Sequence, residues 1–217
     1  MCIFCHICLF YITMLFDDTY QTIQKASEGL FKDRGSKFIA FAYPIAHEQE
    51  VKPYLDALRS LHPKANHHCY AFRLGLDRNQ FRVNDDGEPS GSAGRPILNV
   101  LLSKDITNIL VVVVRYFGGT LLGVPGLINA YKSATLEALA NAEVIQKSVN
   151  DRYEIAFDFE QMNDIMKVVK EFSLKITNQN YDNRCKITFE VRKSLLNQVL
   201  AKLEKIDSAS LEYLSTI

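Results

Sequence analysis

The sequence predicts an α+β fold, and three observations lead to that class. The run NILVVVVRYF at 108–117 is almost entirely β-branched and apolar, which is typical of a central strand covered on both faces. Apolar residues recur three and four apart over 51–61 and again from Pro125 to about Ile145, so both stretches are predicted to be helices. The last part of the chain alternates strand, helix, strand, strand, helix, strand, which is the split β-α-β arrangement.

Turn residues delimit the remaining elements of the first half. The stretch Asp33-Arg34-Gly35-Ser36 lies between two apolar runs and predicts a hairpin, because Gly35 can adopt positive φ. Residues 67–75 alternate as a strand, with Cys69 on one face and His68 on the other. The short strand QFRVN then leads into a stretch rich in glycine, VNDDGEPSGSAGRPIL.

The pattern restarts near residue 148. We therefore predict a first domain over 17–147 and a second over 148–217, both of the α+β class. In the second domain Cys185 alternates inward along its strand, which predicts a core position. No basic stripe with interleaved aromatic residues is visible there.

Residues 1–16 form a separate extension. Its Cys2-x-x-Cys5-His6-x-Cys8 resembles part of a zinc knuckle but lacks a second ligand pair nearby, so no metal is expected. The extension also lacks the basic region and cleavage site of a signal peptide, and it is too short for a membrane span. We expect Met14 to be the natural start, with a buried N-terminal strand as the alternative.

Composition restricts the class of partner. Lys and Arg number 25 and Asp and Glu number 25, so no overall charge attracts nucleic acid or an anionic membrane. Any site for a polyanion must be a local patch, and no membrane partner is expected. Five cysteines, three of them in the first eight residues, do not form a disulfide framework, which favours a reducing, cytoplasmic setting.

Glycine is concentrated in one region, since seven of the ten glycines lie between Gly87 and Gly126. Two glycine-rich loops there each precede a predicted helix, and helix N-termini with exposed backbone N–H groups bind anions. The alternative is that these glycines only make tight turns. The residues predicted to bind an anion or nucleic acid are Arg73, Gly91, Ser92, Gly94, Arg95, Arg115, Gly118 and Gly119.

The carboxylates of the first loop, Asp85, Asp86 and Glu88, could bind a divalent cation. Their spacing does not fit an EF-hand, and adjacent carboxylates cannot readily face one ion, so turn formation and helix capping are favoured. His67 and His68 are a candidate polar site, with Cys69, Ser90 or Ser92 as a nucleophile in a hydrolase. Neighbouring residues of a strand point to opposite faces, and no nucleophile elbow or P-loop is present.

Four segments together resemble one known family. The stretch NDDGEPSGSAGRPIL is similar to the signature of the YigZ/IMPACT family, and its core is Asp85-Asp86-Gly87-Glu88-Pro89. VVRYFGGTLLG with GLINAY resembles the second block of that family, RGSKFIA its N-terminal block and HHCYAFRLG its histidine-containing strand. The likeness covers residues 20–145. One departure is Val124-Pro125-Gly126-Leu127, where many members have Gly-Gly-Leu, so a stiffer loop is expected here.

The resemblance implies a fold and a role. The first domain would be similar to the second domain of a small-subunit ribosomal protein and to the fourth domain of elongation factor G. The second domain would be ferredoxin-like. Eukaryotic IMPACT members regulate translation initiation under starvation by competing for the activator of a stress kinase, and the family has no established catalytic residues or cofactor.

Three functions remain open. The leading hypothesis is a non-enzymatic protein that binds RNA or the ribosome and is linked to the regulation of translation. The second is an enzyme acting on a small phosphorylated or carboxylated substrate, with proton transfer by His67, His68 or a loop carboxylate. The third is a module that binds a protein partner.

Overall fold

The computed structural model describes residues 18–76, 79–182 and 184–217. The N-terminal extension, with the cysteine cluster and the start expected at Met14, lies outside the described residues. The described chain divides into two compact units, one over 20–147 and the other comprising 18–19 and 148–217. No helix in the described part is long and apolar enough to cross a membrane.

The first unit is a five-stranded antiparallel sheet with helices on both faces. Its strands lie in the order β2-β3-β6-β4-β5, while β1 and β7 form a separate two-stranded ribbon. The elements are β1 Thr19–Ile23, β2 Ser27–Asp33, β3 Ser36–Pro44, α1 Val51–Leu61, β4 His67–Leu74, β5 Gln80–Asn84, α2 Gly94–Ser103, β6 Ile109–Tyr116, α3 Gly123–Ala140 and β7 Val144–Ser148.

The predicted central strand is confirmed. β6 pairs with β3 on one side and β4 on the other, and residues 109–114 are fully buried. Val111 and Val113 pack on the face covered by α2 and α3, whereas Val112 and Val114 pack on the face covered by α1. Burial on both faces explains why this strand is apolar at every position rather than at alternate ones.

The predicted hairpin is also confirmed. Asp33 pairs with Ser36 at the end of the β2–β3 ladder. The two residues between them, Arg34 and Gly35, have φ values of 44° and 77°. Positive φ at both central positions matches the right-handed twist of the strands that the turn connects.

The predicted end of the long helix was wrong. The prediction extended it to about Ile145, but α3 ends at Ala140 and β7 begins at Val144. Residues 144 and 145 are Val and Ile, β-branched types that favour strands, and β7 pairs with β1. Pro125, expected at the first helical position, is the third residue of α3.

The second unit has the predicted element order. It consists of β8 Asn150–Phe157, α4 Met162–Glu171, β9 Lys175–Asn180, β10 Cys185–Arg192, α5 Leu196–Leu203 and β11 Ser210–Thr216. The antiparallel sheet has the order β11-β8-β10-β9. Cys185 is buried in its core, as predicted.

Candidate functional site

One end of the five-stranded sheet brings together both glycine-rich loops. The signature loop, residues 85–93, follows β5, and the glycine loop, residues 117–122, follows β6. His67 at the start of β4 lies opposite Arg115 near the end of β6, and the imidazole Nδ1 of His67 is 2.8 Å from the carbonyl oxygen of Asp86. The two loops therefore converge at the same end of the sheet, although they are separated in sequence by a helix and a strand.

A buried carboxylate joins these loops to the sheet and to α3. Glu88 Oε1 accepts a hydrogen bond from Arg115 Nη1 at 2.5 Å and another from the hydroxyl of Tyr131 at 2.8 Å. The side chains of Glu88 and Arg115 are only 3% and 6% exposed. The charge of Arg115 is thus compensated inside the protein, and its guanidinium also lies 5.4 Å from the ring centre of Phe38. We call Glu88, Arg115 and Tyr131 the buried triad.

The N-terminus of α2 is capped by the chain itself. Asp85 Oδ1 accepts hydrogen bonds from the backbone N–H groups of Ala93 and Gly94 at 3.1 and 2.8 Å, and its Oδ2 accepts one from Gly91 at 2.8 Å. A carboxylate at this position also interacts favourably with the helix dipole. The N–H groups predicted to bind an external anion therefore already hold an internal one, and Asp85 has the capping role that the sequence favoured.

Asp86 secures the other side of the signature loop. Its Oδ2 accepts the backbone N–H of His68 at 2.6 Å, and its Oδ1 lies 3.8 Å from Arg59 on α1. Its neighbour Gly87 has a φ of 87° and packs against the imidazole of His67. No group of three His, Cys, Asp or Glu side chains in the described ranges could hold a metal.

The cysteine that suggested a hydrolase nucleophile is buried and protonated. Burial raises the pKa of the Cys69 thiol far above its ordinary value, and the thiol donates to the hydroxyl of Tyr131 at 3.2 Å. Burial likewise raises the pKa of Tyr131. Because the thiolate is the nucleophilic form of cysteine, Cys69 is poorly suited to catalysis.

The remaining polar candidates have local partners. The Ser92 hydroxyl is buried and donates to the carbonyl of Pro89 at 2.6 Å. Burial lowers the pKa of His68, which keeps its imidazole neutral although Asp86 opposes this effect. His67 is only partly buried, and its Nε2 lies 3.8 Å from Glu88 Oε1.

The predicted cations do not share one site. Arg73 pairs across the sheet with Ile109, six residues along β4 from His67, which corresponds to about 20 Å of strand. Its guanidinium contacts Asp105 Oδ1 at 3.2 Å and the carbonyl of Ile106 at 3.3 Å. Arg95 is exposed in the first turn of α2. Arg115 therefore lies where the two loops meet, Arg95 closely follows the signature loop, and Arg73 lies at the other end of the strand.

A cationic cluster that the sequence reasoning missed lies on the hairpin that joins β2 and β3. Lys32 is directly opposite Lys37 across the ladder, and Arg34 lies in the turn between them. All three side chains are exposed, and none forms an ion pair with any described residue. We call residues 32–37 the hairpin tip. The sequence signal was the symmetric placement of two lysines around a two-residue turn, because such a turn fixes which residues face each other.

The hairpin tip and the glycine loop touch backbone to backbone. A Cβ atom on Gly118 would lie 2.0 Å from the carbonyl carbon of Gly35, so only glycine fits. The N–H of Gly118 also donates to the hydroxyl of Ser36 at 3.1 Å. Beyond this contact Gly119 faces open space, and Phe117 is 44% exposed with Arg115 5.6 Å from its ring centre. The hairpin tip and the glycine loop are thus in contact. Lys37 lies on the face of the sheet that α1 covers, whereas Phe117 lies beside Arg115, whose guanidinium packs on Phe38 of the opposite face.

Comparison with known proteins finds a matching family domain, two bacterial relatives and a similar solved structure. Residues 34–139 match the Impact N-terminal domain. The chain is 31% identical over 182 residues to IMPACT family member YigZ of Escherichia coli, covering 83% of this chain and 89% of that protein. It is 31% identical over 163 residues to IMPACT family member YvyE of Bacillus subtilis, covering 75% of each. A crystal structure of a hypothetical protein superposes with a TM-score of 0.67 at 28% identity, covering 92% of this chain and 98% of the other.

Proposed function

The chain belongs to the IMPACT family, and we propose that it is a cytoplasmic, non-enzymatic protein that binds RNA or the ribosome and takes part in regulating translation. The family resemblance found in the sequence is confirmed by the matched domain and by the two bacterial relatives. The link to translation follows from the role that this resemblance implies. The contact with RNA is inferred from the hairpin tip and the glycine loop.

The observation that carries the proposal is the unpaired Lys32–Lys37 couple. Like charges directly opposite each other in a ladder are destabilising by roughly 0.2–1 kcal/mol, so the fold alone gives no reason for this pair. A phosphate group between the two ammonium groups would remove their repulsion. Arg34 in the same turn supplies a third cation.

The neighbouring glycine loop supplies what a nucleic acid needs besides charge. Exposed aromatic rings stack with unpaired bases, and Phe117 is 44% exposed in the loop whose backbone contacts the hairpin tip. This supports recognition of single-stranded segments or loops, the parts of RNA whose bases are accessible.

The enzyme hypothesis receives less support. Glu88 is engaged by Arg115 and Tyr131, and Asp85 is engaged by three backbone N–H groups. These contacts hold the loop in place. They also occupy both carboxylates, so neither Asp85 nor Glu88 is free to act with His67 in proton transfer to a substrate.

The finer fold assignments also remain part of the proposal. We assign 17–147 to an IMPACT N-terminal domain similar to the ribosomal-protein and elongation-factor domains, and 148–217 to a ferredoxin-like domain. The strand order β11-β8-β10-β9 supports the second assignment. It places the first and third strands of the unit, β8 and β10, at the centre and the second and fourth, β9 and β11, at the edges.

The test is binding to purified ribosomes and to a structured RNA over a salt series beginning near 50 mM. Replacing Lys32→Gln and Lys37→Gln together should weaken binding and make the slope of log affinity against log salt shallower by about 1.4–1.8. The matched control is Lys52→Gln with Lys104→Gln, since both lysines are exposed and lie at the opposite end of the sheet. Absence of binding at low salt, or equal losses in both pairs, would refute the proposal.

The aromatic contribution is tested separately. Phe117→Ala should weaken RNA binding by roughly 1–3 kcal/mol if a base stacks on the ring. Phe81→Ala is the control, because Phe81 is 51% exposed on β5 and pairs with Arg73 away from the loops. An effect of Phe81→Ala as large as that of Phe117→Ala would place the RNA elsewhere.

A further inference from the structure

The free edge of the five-stranded sheet offers unpaired backbone groups. Among the strands that the structure describes, β2 is an outer strand and pairs only with β3. Because the two-residue turn makes Asp33–Ser36 a hydrogen-bonded pair, alternate residues of β2 bond to β3 and the intervening ones face outward. Glu28, Leu30 and Lys32 are the outward residues. The carbonyl of Glu28 accepts from Asn141 at 2.8 Å, whereas the outward groups of Leu30 and Lys32 have no partner among the described residues.

A groove with apolar residues at its centre and with Glu28, Lys37, His62 and Asn141 also in its lining runs beside this edge. Its volume is about 440 Å³, and its floor includes Leu30, Ile39 and Phe41. Helix α1 packs over the central strands and does not cover β2, so Leu30 is 47% exposed. Leu61 at the end of α1 forms the wall and is 67% exposed. Apolar side chains exposed along an open strand edge are unusual, because natural edge strands are commonly protected by charge or cover.

The two ends of the groove carry opposite charges. Lys37 lines the end towards the hairpin tip, and Lys32 projects on the same face opposite it. Glu28 lines the other end. A ligand that satisfies this groove therefore carries negative charge at the lysine end and apolar side chains at its centre.

We propose that β2 accepts an extended segment of a partner protein as an additional strand. The segment places apolar side chains over Leu30 and Leu61 and acidic side chains beside Lys32 and Lys37. Backbone hydrogen bonds to Leu30 and Lys32 supply affinity, while the groove selects alternate side chains. This peptide site goes beyond the proposed RNA binding. It shares Lys32 and Lys37 with that proposal but does not depend on Phe117 or the glycine loop.

Two other occupants fit less well. An RNA strand gains little from the exposed aliphatic side chains of Leu30 and Leu61, and the one phenyl ring in the lining, Phe41, is only 5% exposed and so offers little area for base stacking. A second copy paired antiparallel through β2 with Leu30 opposite Leu30 would bring one carboxylate, its Glu28, to the two lysines, whereas an acidic segment brings several.

The probe is the acetylated and amidated octapeptide TVTVTETE, titrated into the full chain and followed by amide chemical shifts, which detect even millimolar binding. Shifts should concentrate at Leu30 and Lys32, and both amides should gain protection from hydrogen exchange. The charge-reversed peptide TVTVTKTK should bind at least about tenfold more weakly. In the Lys32→Gln, Lys37→Gln protein the difference between the two peptides should largely disappear.

Variants separate this site from the RNA surface. Leu30→Ser and Leu61→Ser should each weaken the acidic peptide several-fold without changing RNA affinity, and Phe117→Ala should do the reverse. Leu102→Ser is the matched control, since Leu102 is 44% exposed on α2, which packs against the opposite face of the sheet. Thermal melts confirm that each variant is folded.

Four results would overturn the peptide site. They are the absence of shifts at millimolar peptide, equal affinity for the acidic and basic peptides, insensitivity to Leu30→Ser, and concentration-dependent self-association that Leu30→Ser abolishes. The last would assign the β2 edge to a second copy. Loss of RNA binding in Phe117→Ala with peptide binding retained would show that the two proposed sites can fail independently of each other.

Discussion

The buried triad and the hairpin tip lie at the same end of one sheet, yet their cations have opposite environments. Arg115 is 6% exposed and 2.5 Å from Glu88, while Lys32 and Lys37 are exposed, face each other and have no acidic partner in the described part of the chain. A buried charge must be compensated within the protein, whereas an exposed one is compensated by water and salt. Arg115, which the sequence predicted to bind an anion, is already paired with Glu88, whereas the two lysines that the sequence reasoning missed are exposed.

The largest expected effect is in the buried triad. Glu88→Gln leaves the guanidinium of Arg115 buried without a counter-charge, so the free energy of unfolding should fall by about 3–5 kcal/mol. Urea denaturation measures it. The control is Glu48→Gln, whose partner Arg82 is exposed at 2.7 Å, and its loss should not exceed about 1 kcal/mol. Similar losses in the two variants would remove the distinction between the triad and a surface pair.

The helix cap should give the next largest effect. Asp85→Ala removes the acceptor of three backbone N–H groups, so unfolding free energy should fall by about 1–2 kcal/mol. Asp56→Ala on the exposed face of α1 should stay within about 0.5 kcal/mol. Added phosphate should stabilise Asp85→Ala more than the parent protein, because the vacated N–H groups can then bind an external anion. No such difference would show that the loop collapses without its carboxylate.

An ion cluster in the second unit is an intermediate case. Hydrogen bonds from Arg152 at 2.9 Å hold the pKa of Glu190 below its usual value, desolvation opposes them, and Lys175 adds to the lowering. A lowered folded pKa means that this stabilisation is complete above the ordinary carboxyl pKa and is lost as pH falls through the folded value. Because Lys175 is solvated, Glu190→Gln should lose only about 1 kcal/mol at pH 7 and less near pH 3.

Amide exchange in β8 and β10 measures that loss locally. The control is Glu154→Gln, because Glu154 is 24% exposed and its partner Lys186 49% exposed, compared with 8% for Glu190 and 37% for Arg152. A loss at Glu190 that does not change with pH would show that the carboxylate charge is not what stabilises this sheet.

The smallest effect is opposite in sign and belongs to the hairpin tip. Replacing both Lys32 and Lys37 with Gln removes a repulsive cross-strand pair and should raise stability by roughly 0.2–1 kcal/mol. Calorimetric melts compared with Lys52→Gln measure this. A gain in stability together with a loss of RNA affinity is the signature of residues kept for binding, and a loss of stability would contradict that interpretation.

Much of the fold followed from local patterns in the sequence. The valine run predicted a strand covered on both faces, and the turn at Arg34-Gly35 predicted the hairpin, because both signals act over a few residues. The end of α3 did not follow, since Val144 forms a strand only through pairing with β1, which lies at the other end of the unit's sequence.

The site was less accessible for the same reason. An aspartate shortly before a helix suggests capping, and Asp85 fulfils that role. The burial of Glu88 depends on Arg115 from β6 and Tyr131 from α3, and no spacing in the sequence brings these three together. The lysine pair could have been found earlier by drawing the hairpin register around its turn, which places residues 32 and 37 opposite each other.

The contact of Gly35 with Gly118 has a consequence for the thermodynamics of binding. Two backbones that touch without intervening side chains have little room to move independently, so the hairpin tip and the glycine loop are held in a fixed arrangement at the protein surface. A ligand then meets cations and an aromatic ring already in place, and little conformational entropy is lost when it associates. Affinity at this surface should consequently depend on the charges and the ring themselves rather than on the folding of a loop around the ligand.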